Sequence, residues 1–477
     1  MDASGPTYII SQWLFLKLLG IVFGIAFCSL LIQVDGLYGS RGILPIRDLI
    51  GPLQKREIVR VLAWLPSLFL FHCSDIFIRC CAAAGVAFSV LLLAGFLPAL
   101  MLVLLWLLYL SFVSVGREFL SFQWDMLLLE TGFMAIFFAL LTPPPVLVIW
   151  GWWLFLFRFI VSAGVVKLTS GDPHWRNLTA LRYHYETQPL PNRIAWYAHQ
   201  FPQTVQKFST FGTFFFELAV PFFIFGPDPV KYVAFWLLVF FQGLILLTGS
   251  YGFFNLLTIV MAVPLLNDNY LQRFAEFVRG PISSQPGTLL TAAICAVIAL
   301  LMLFNVLQLI QLFYRSRIFA RIIIPLSRWG ISSPYGLFAV MTTERFEFVI
   351  EGSHDARAWQ PYAFRWKPGH PSAPPRQVAP HQPRLDWQMW FAALQPSLIE
   401  PWLGKFVLRL LQGSPPVVAL LKNNPFQDAP PRYIRVVAYQ YHFTDWQTRR
   451  TMGTWWRRDL IGASDPLSLP EERVDRR

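Results

Sequence analysis

Apolar residues occupy this chain in long unbroken runs from residue 12 to residue 313, and then in short alternating ones. A bilayer crossing needs about 20 mostly apolar residues. The runs 12–33, 76–95, 97–115, 119–141, 146–167, 208–226, 231–249 and 288–313 meet that length. Two shorter runs, 58–72 and 252–266, read as tilted, re-entrant or interfacial helices. The pattern predicts a helical membrane bundle of about eight to ten transmembrane helices. The first run is too long and lacks the basic leader of a cleaved signal peptide.

Beyond residue 315 the period changes from helical to two-residue. "FEFVIEG", "YAFRWKPG" and "YIRVVAYQYHF" alternate as strands do. "SLIEPWLGKFVLRLLQG" reads as an amphipathic helix that stops at Gly413. The stretch 368–383 is a proline-rich loop or arm. Three divisions follow: a polytopic domain over 1–314 that includes a polar, aromatic segment at 168–206; a tethered C-terminal extramembrane α+β domain, rich in strand, over 315–465; and a disordered tail over 466–477.

Composition sharpens the picture. Charged residues make up only 14% of the chain, against about 25% in average soluble domains. The formal charge of +12 is concentrated from residue 315 onward, where 22 Lys/Arg face 13 Asp/Glu. The arginines are scattered, which argues against nucleic acid as a partner and leaves lipid headgroups or simple solubility as their role. Five cysteines, Cys28, Cys73, Cys80, Cys81 and Cys295, all lie in or beside apolar segments. They show no zinc-finger or C-x-x-C spacing, so no metal site or disulfide scaffold is expected. No cofactor fingerprint is present either.

Charges within apolar runs usually face a bundle interior. Here they are Asp125, Glu130, Arg158, Lys167 and Glu217. The runs 119–141 and 146–167 are joined by "TPPP" and should form a hairpin whose register sets Arg158 beside Glu130. The same register brings Lys167 level with Glu118 at the membrane boundary and leaves Asp125 without a partner. Glu217 is expected as a protonated carboxyl between helices or as a functional group.

The polar segment after Lys167 contains the densest chemistry. Asp172 is placed to cap a helix whose first residue is Pro173. His174, His184 and His199 are not at ligand spacing, and Trp175 suits a membrane boundary. Arg182, His184, Glu186 and Gln188 share one short stretch beside Lys167, which makes it the candidate site. Asn177-Leu178-Thr179 is a glycosylation sequon.

Four stretches, "GREFLSFQWDMLLLETGF" (116–133), "GVVKLTSGDPHWRNLTALRYHYETQPLP" (164–191), "HQPRLDWQMWFAAL" (381–394) and "YQYHFTDWQTRRTMGTWWRR" (439–458), resemble the lipase maturation factor family. The resemblance implies a multi-pass protein of the endoplasmic reticulum, or of an inner membrane if bacterial. It implies a chaperone-like factor that helps secreted lipases fold and assemble, with its C-terminal domain in the lumen. Trp387, Trp390, Trp455 and Trp456 are then candidates for client docking, or else for the domain's own core. A remoter likeness links "SAGVVKL" to vitamin K-dependent γ-glutamyl carboxylases. It implies an alternative: an intramembrane enzyme acting on a lipid, quinone or peptide, with Lys167 as general base, His184 and Glu186 beside it, and Arg182, Asp172, His174, Trp175 and Gln188 binding or orienting the substrate.

Overall fold

The structure is a computed structural model and describes residues 6–53, 57–277, 287–314, 316–394 and 400–470. Most of the tail over 466–477 therefore lies outside the described residues. Seven helices among those described are long and apolar enough to cross a membrane: α1 Ile9–Leu31, α2 Asp75–Ala94, α3 Pro98–Val115, α5 Val146–Thr169, α8 Gln203–Phe225, α9 Asp228–Thr248 and α11 Thr288–Phe313. Between them come α4 Gln123–Ala139, α6 Ala180–Thr187, α7 Arg193–His199 and α10 Phe254–Leu265. The run 119–141 yields a shorter helix than its hydropathy predicts, because a separate turn takes up Arg117–Leu120 before α4 begins.

Local sequence sets the boundaries. Ser74 caps α2 by accepting the Phe77 N–H at 3.3 Å, and Gly95, at φ +91°, closes it in the left-handed region. Pro98 then opens α3 at a position where its missing N–H costs nothing. Inside a bilayer every backbone polar group must be satisfied within the protein, and helices achieve this segment by segment.

The chain alternates between two faces of the bundle. On one, the Asp268 carboxylate accepts the N–H groups of Ile9 and Ile10, both at 2.8 Å, and Asn267 donates to Asp228 at 2.7 Å. On the other, Arg79 pairs with Asp35 at 2.8 Å and Tyr38 donates to the Gly116 carbonyl at 2.8 Å. This second face carries the C-terminal domain.

That domain holds α13 Arg384–Ala393, α14 Pro401–Leu411 and α15 Trp446–Met452. Its four-stranded antiparallel sheet has the order β2-β1-β3-β4, with β1 Arg345–Ser353, β2 Gln360–Pro361, β3 Tyr433–Phe443 and β4 Trp456–Ala463. Phe348, Ile350, Ile434 and Val437 are buried on it. "YAFRWKPG" is not a strand. Its backbone is held by side chains instead: Asn423 accepts the Ala363 N–H, and Asp386 accepts those of Trp366 and Lys367 at 2.8 and 2.9 Å. Burial raises the Asp386 carboxyl to about 6.

The domain is docked rather than tethered. Arg384 grips Asp125 with two charge-assisted bonds, 2.5 and 2.7 Å long, and both side chains are almost fully buried. Arg384 also donates to the Phe119 carbonyl at 3.0 Å, and Tyr109 donates to Asp125 at 2.5 Å. The partner that the hairpin could not supply to Asp125 thus comes from the other half of the chain. Arg158 meets Glu130 at 2.5 Å, the pairing the hairpin register predicts. It also donates to the Ser333 carbonyl, while Glu130 accepts the Ser333 N–H and the Tyr335 hydroxyl.

Removing one member of a buried pair strands a charge and costs about 3–5 kcal/mol. Arg384→Met should destabilise the purified protein by about that amount in thermal unfolding. The double variant Asp125→Asn/Arg384→Met should regain more than half the loss, which a double-mutant cycle measures.

Candidate functional site

The polar segment after α5 is built as its turn residues require. Asp172 accepts the His174 N–H at 2.9 Å and caps a single helical turn, Pro173–Arg176. Leu178, at φ +58°, breaks that helix, and α6 restarts at Ala180. With eight residues, α6 is too short to persist alone, so it depends on what surrounds it.

The C-terminal domain supplies that surrounding. Arg345, buried, donates to the carbonyls of Glu186, Gln188 and Pro189 at 2.9, 2.5 and 3.0 Å. These are orphan acceptors at the end of α6, where a cation is favoured. Its charge is balanced by Glu347 at 2.6 Å. Trp390 donates to the Thr187 carbonyl at 2.8 Å, and the second oxygen of Asp172 accepts the Met341 N–H at 2.6 Å.

The predicted site residues then divide into two groups. Lys167, Asp172, Trp175 and Gln188 are buried. The partner of Lys167 is Glu217 and not Glu118: the lysine donates to both oxygens of Glu217 at 2.7 and 2.9 Å and to the Ala163 carbonyl at 3.1 Å. Its ammonium lies 5.3 Å from the Trp175 ring centre. Glu217 reaches it from a widened π-type turn, Phe215–Ala219, within α8, a local distortion common where a side chain must be re-aimed. His184 Nε2 lies 2.9 Å from the Tyr251 hydroxyl, which donates to Gln188 at 2.8 Å. His174 stays apart from this group, packed edge-on against Tyr183.

Arg182 and Glu186 belong to the other group. They line a cleft of roughly 1060 Å³ between α6, the start of α8 and the far ends of β3 and β4. Glu186 is bracketed by two imidazoles, His199 at 3.6 Å and His442 at 3.4 Å, and it accepts the Phe443 N–H at 2.7 Å. The hydrogen bond to Glu186 raises the His442 pKa, whereas burial lowers that of His199. Sequence reasoning missed His442, Arg457 and Arg458, which reach the cleft from strands more than 250 residues beyond α6. The cleft is open, and two of its apolar lining residues are well exposed, Phe201 at 56% and Met452 at 73%.

Trp387, Trp390, Trp455 and Trp456 are all buried. Trp387 meets Trp124 of the bundle edge-on at 4.7 Å, and Trp455 meets Trp196 at 5.5 Å. Trp456 stacks on Phe443 within the domain's own sheet, with ring centres 4.3 Å apart. Among the described residues no group of three His, Cys, Asp or Glu is placed to hold a metal ion.

Residues 10–273 match the family model described as the lipase maturation factor transmembrane domain, and residues 331–466 match the lipase maturation factor C-terminal domain. The chain is 35% identical to chicken (Gallus gallus) lipase maturation factor 2, over 97% of this chain and 82% of that protein. Against human (Homo sapiens) lipase maturation factor 2 the identity is 34%, covering 94% and 81%. Against human lipase maturation factor 1 it is 33%, covering 98% and 89%. No solved structure matches the chain at a significant level.

His184 carries a pH signature. Burial and the nearby Lys167 charge lower His184 from its ordinary 6.5 to about 4. Its folded pKa lies below the unfolded one, so its contribution is intact above pH 6.5 and lost as pH falls towards about 4. Thermal stability should therefore fall across that window. A His184→Asn variant should show a shallower slope in the same pH series.

Proposed function

The chain belongs to the lipase maturation factor family, and from that premise we propose that it is a multi-pass maturation factor of the endoplasmic reticulum membrane that assists the folding of secreted lipases. The observation that carries this reading is the paired match: the transmembrane and C-terminal halves both correspond, in order, to the two domains that define the family. The client engages the face of the molecule that carries the cleft.

Two structural features support that assignment. The cleft is open, and its charged and polar groups stand beside the exposed apolar side chains of Phe201 and Met452, a mixture of the kind that protein interfaces present. Beside it, β4 is an edge of the sheet among the described residues, paired with β3. Leu460 and Ile461 on β4 are 66% and 51% exposed. An unpaired strand edge is a template for an extended segment of another chain, and a folding client has such segments.

Lys167 has a structural role in this reading. Its three donor directions are occupied by Glu217 and Ala163, whereas a general base needs a free lone pair aimed at its substrate.

The test is the specific activity of a secreted lipase in cells lacking their own maturation factor, with each variant expressed to the wild-type level. Leu460→Pro, which bars strand addition, and Arg182→Glu should each lower lipase activity on the order of fivefold, the equivalent of about 1 kcal/mol of contact. Lys167→Met/Glu217→Leu, which removes the buried pair together, should keep most of it. Loss of rescue by that last variant, with its fold intact, would overturn the structural role of Lys167.

A further inference from the structure

Four residues beyond the end of α11 a further helix begins, α12 Arg317–Arg328. Ser316 caps it, accepting the Phe319 N–H at 3.5 Å. Its sequence, "RIFARIIIPLSR", has three arginines and no acid. Ile323 faces the protein and is buried. The outer face divides along the helical repeat. Ile318, Ile322 and Pro325 form one exposed stripe, and Arg317, Arg321 and Arg328 form the adjacent one, with Ile324 on its other flank. Ile318 is 68% exposed. Among the described residues none of these arginines forms an ion pair.

The path of the chain sets the depth of this helix. After α12 it turns sharply at Gly330, at φ +63°, where a side chain would collide with Leu129. Ser332 then accepts a bond from Gln308 of α11 at 2.5 Å, and Ser333 joins the Arg158–Glu130 pair. Gln308 lies five residues, or about 7.5 Å of helix rise, inside the end of α11. The chain thus leaves the bundle at Phe313 and re-enters it slightly deeper, so α12 runs along the membrane boundary instead of away from it. Its neighbour agrees. Trp329 donates to the Ala63 carbonyl at 3.4 Å, at the end of the short helix Ile58–Trp64, where Val59 is also exposed.

We propose that α12 lies in the headgroup layer of the leaflet beneath the C-terminal domain, with its isoleucine stripe towards the acyl chains, and that Arg317, Arg321 and Arg328 bind the phosphates of anionic phospholipids. Neither stripe is explained by contacts within the protein. A basic amphipathic helix with apolar side chains next to arginines is the form that binds a charged lipid surface. The consequence is mechanical. The segment that completes the Glu130–Arg158 cluster and leads into β1 is held at membrane height by lipid.

The experiment is hydrogen exchange of the full chain in nanodiscs of phosphatidylcholine, with or without phosphatidylglycerol. Phosphatidylglycerol should slow amide exchange across 317–328 several-fold, leave β1 unchanged and lose its effect at high salt. In Arg317→Gln/Arg321→Gln/Arg328→Gln the lipid dependence should vanish. Equal exchange in both lipids, a dependence that survives in the triple variant, or the same slowing by inorganic phosphate in neutral discs would each overturn the proposal. The salt series on the wild type decides the matter without any variant.

Discussion

The pair between Asp125 and Arg384 governs the architecture. A carboxylate wholly removed from solvent near the start of α4 is untenable without a counter-charge, and the described residues of the bundle offer it none. The guanidinium arrives from a helix of the C-terminal domain, and its planar fork suits a carboxylate better than a lysine would. Once this contact is required, the domain cannot swing as a tethered body. The other contacts repeat the scheme. Glu130 and Arg158 are completed by Ser333 and Tyr335, Asp172 by Met341, and the open end of α6 by Arg345. Each half of the molecule carries polar groups that only the other half satisfies, so the two form one cooperative structure.

This arrangement accounts for how the cleft is made. Its inner wall, α6, belongs to a segment with little intrinsic stability, and its outer wall is the end of a sheet. Side chains from other elements hold α6 in place: Tyr251 meets His184 and Gln188, Arg345 takes up the carbonyls at its end, and Trp390 bonds to Thr187. The polar groups that drew attention in the sequence are mainly this support. The exposed side chains around it are plainer, among them Phe201, Met452 and Leu460. A maturation factor that must accept a partly folded client is served by such a platform, because a stiff frame spares the ordering cost of binding.

Much of this was legible in the sequence and some was not, for definable reasons. Hydropathy located the long helices, and a short connection set the register that brought Arg158 to Glu130. Asp172 and Pro173 announced a helix start that the structure contains. Register within one hairpin could not reveal that Lys167 belongs to Glu217, since the contact depends on an irregular turn in a helix fifty residues away. "YAFRWKPG" alternates like a strand, yet Asp386 takes up its backbone donors. Conversely, β4 escaped notice because an exposed edge strand, "WRRDLIGA", carries no alternation to detect. The tryptophans were conspicuous as surface candidates, but large rings are also what a domain needs to seat itself on a membrane bundle.

Chains are made from the N-terminus at about 5–20 residues per second. Asp125 and Arg384 are separated by 259 positions, so the counter-charge follows the carboxylate on the order of 10–50 s later. Throughout that interval the bundle's fourth helix carries an acid that has no permanent place to go. It must remain protonated, hydrated or outside the bundle until α13 has been synthesised. Helix α6 waits in the same way for Arg345. The membrane half is therefore unfinished business during translation, and the cleft comes into existence only when the second half closes over it. A protein proposed to oversee the folding of others is, in its own biogenesis, among the later ones to commit.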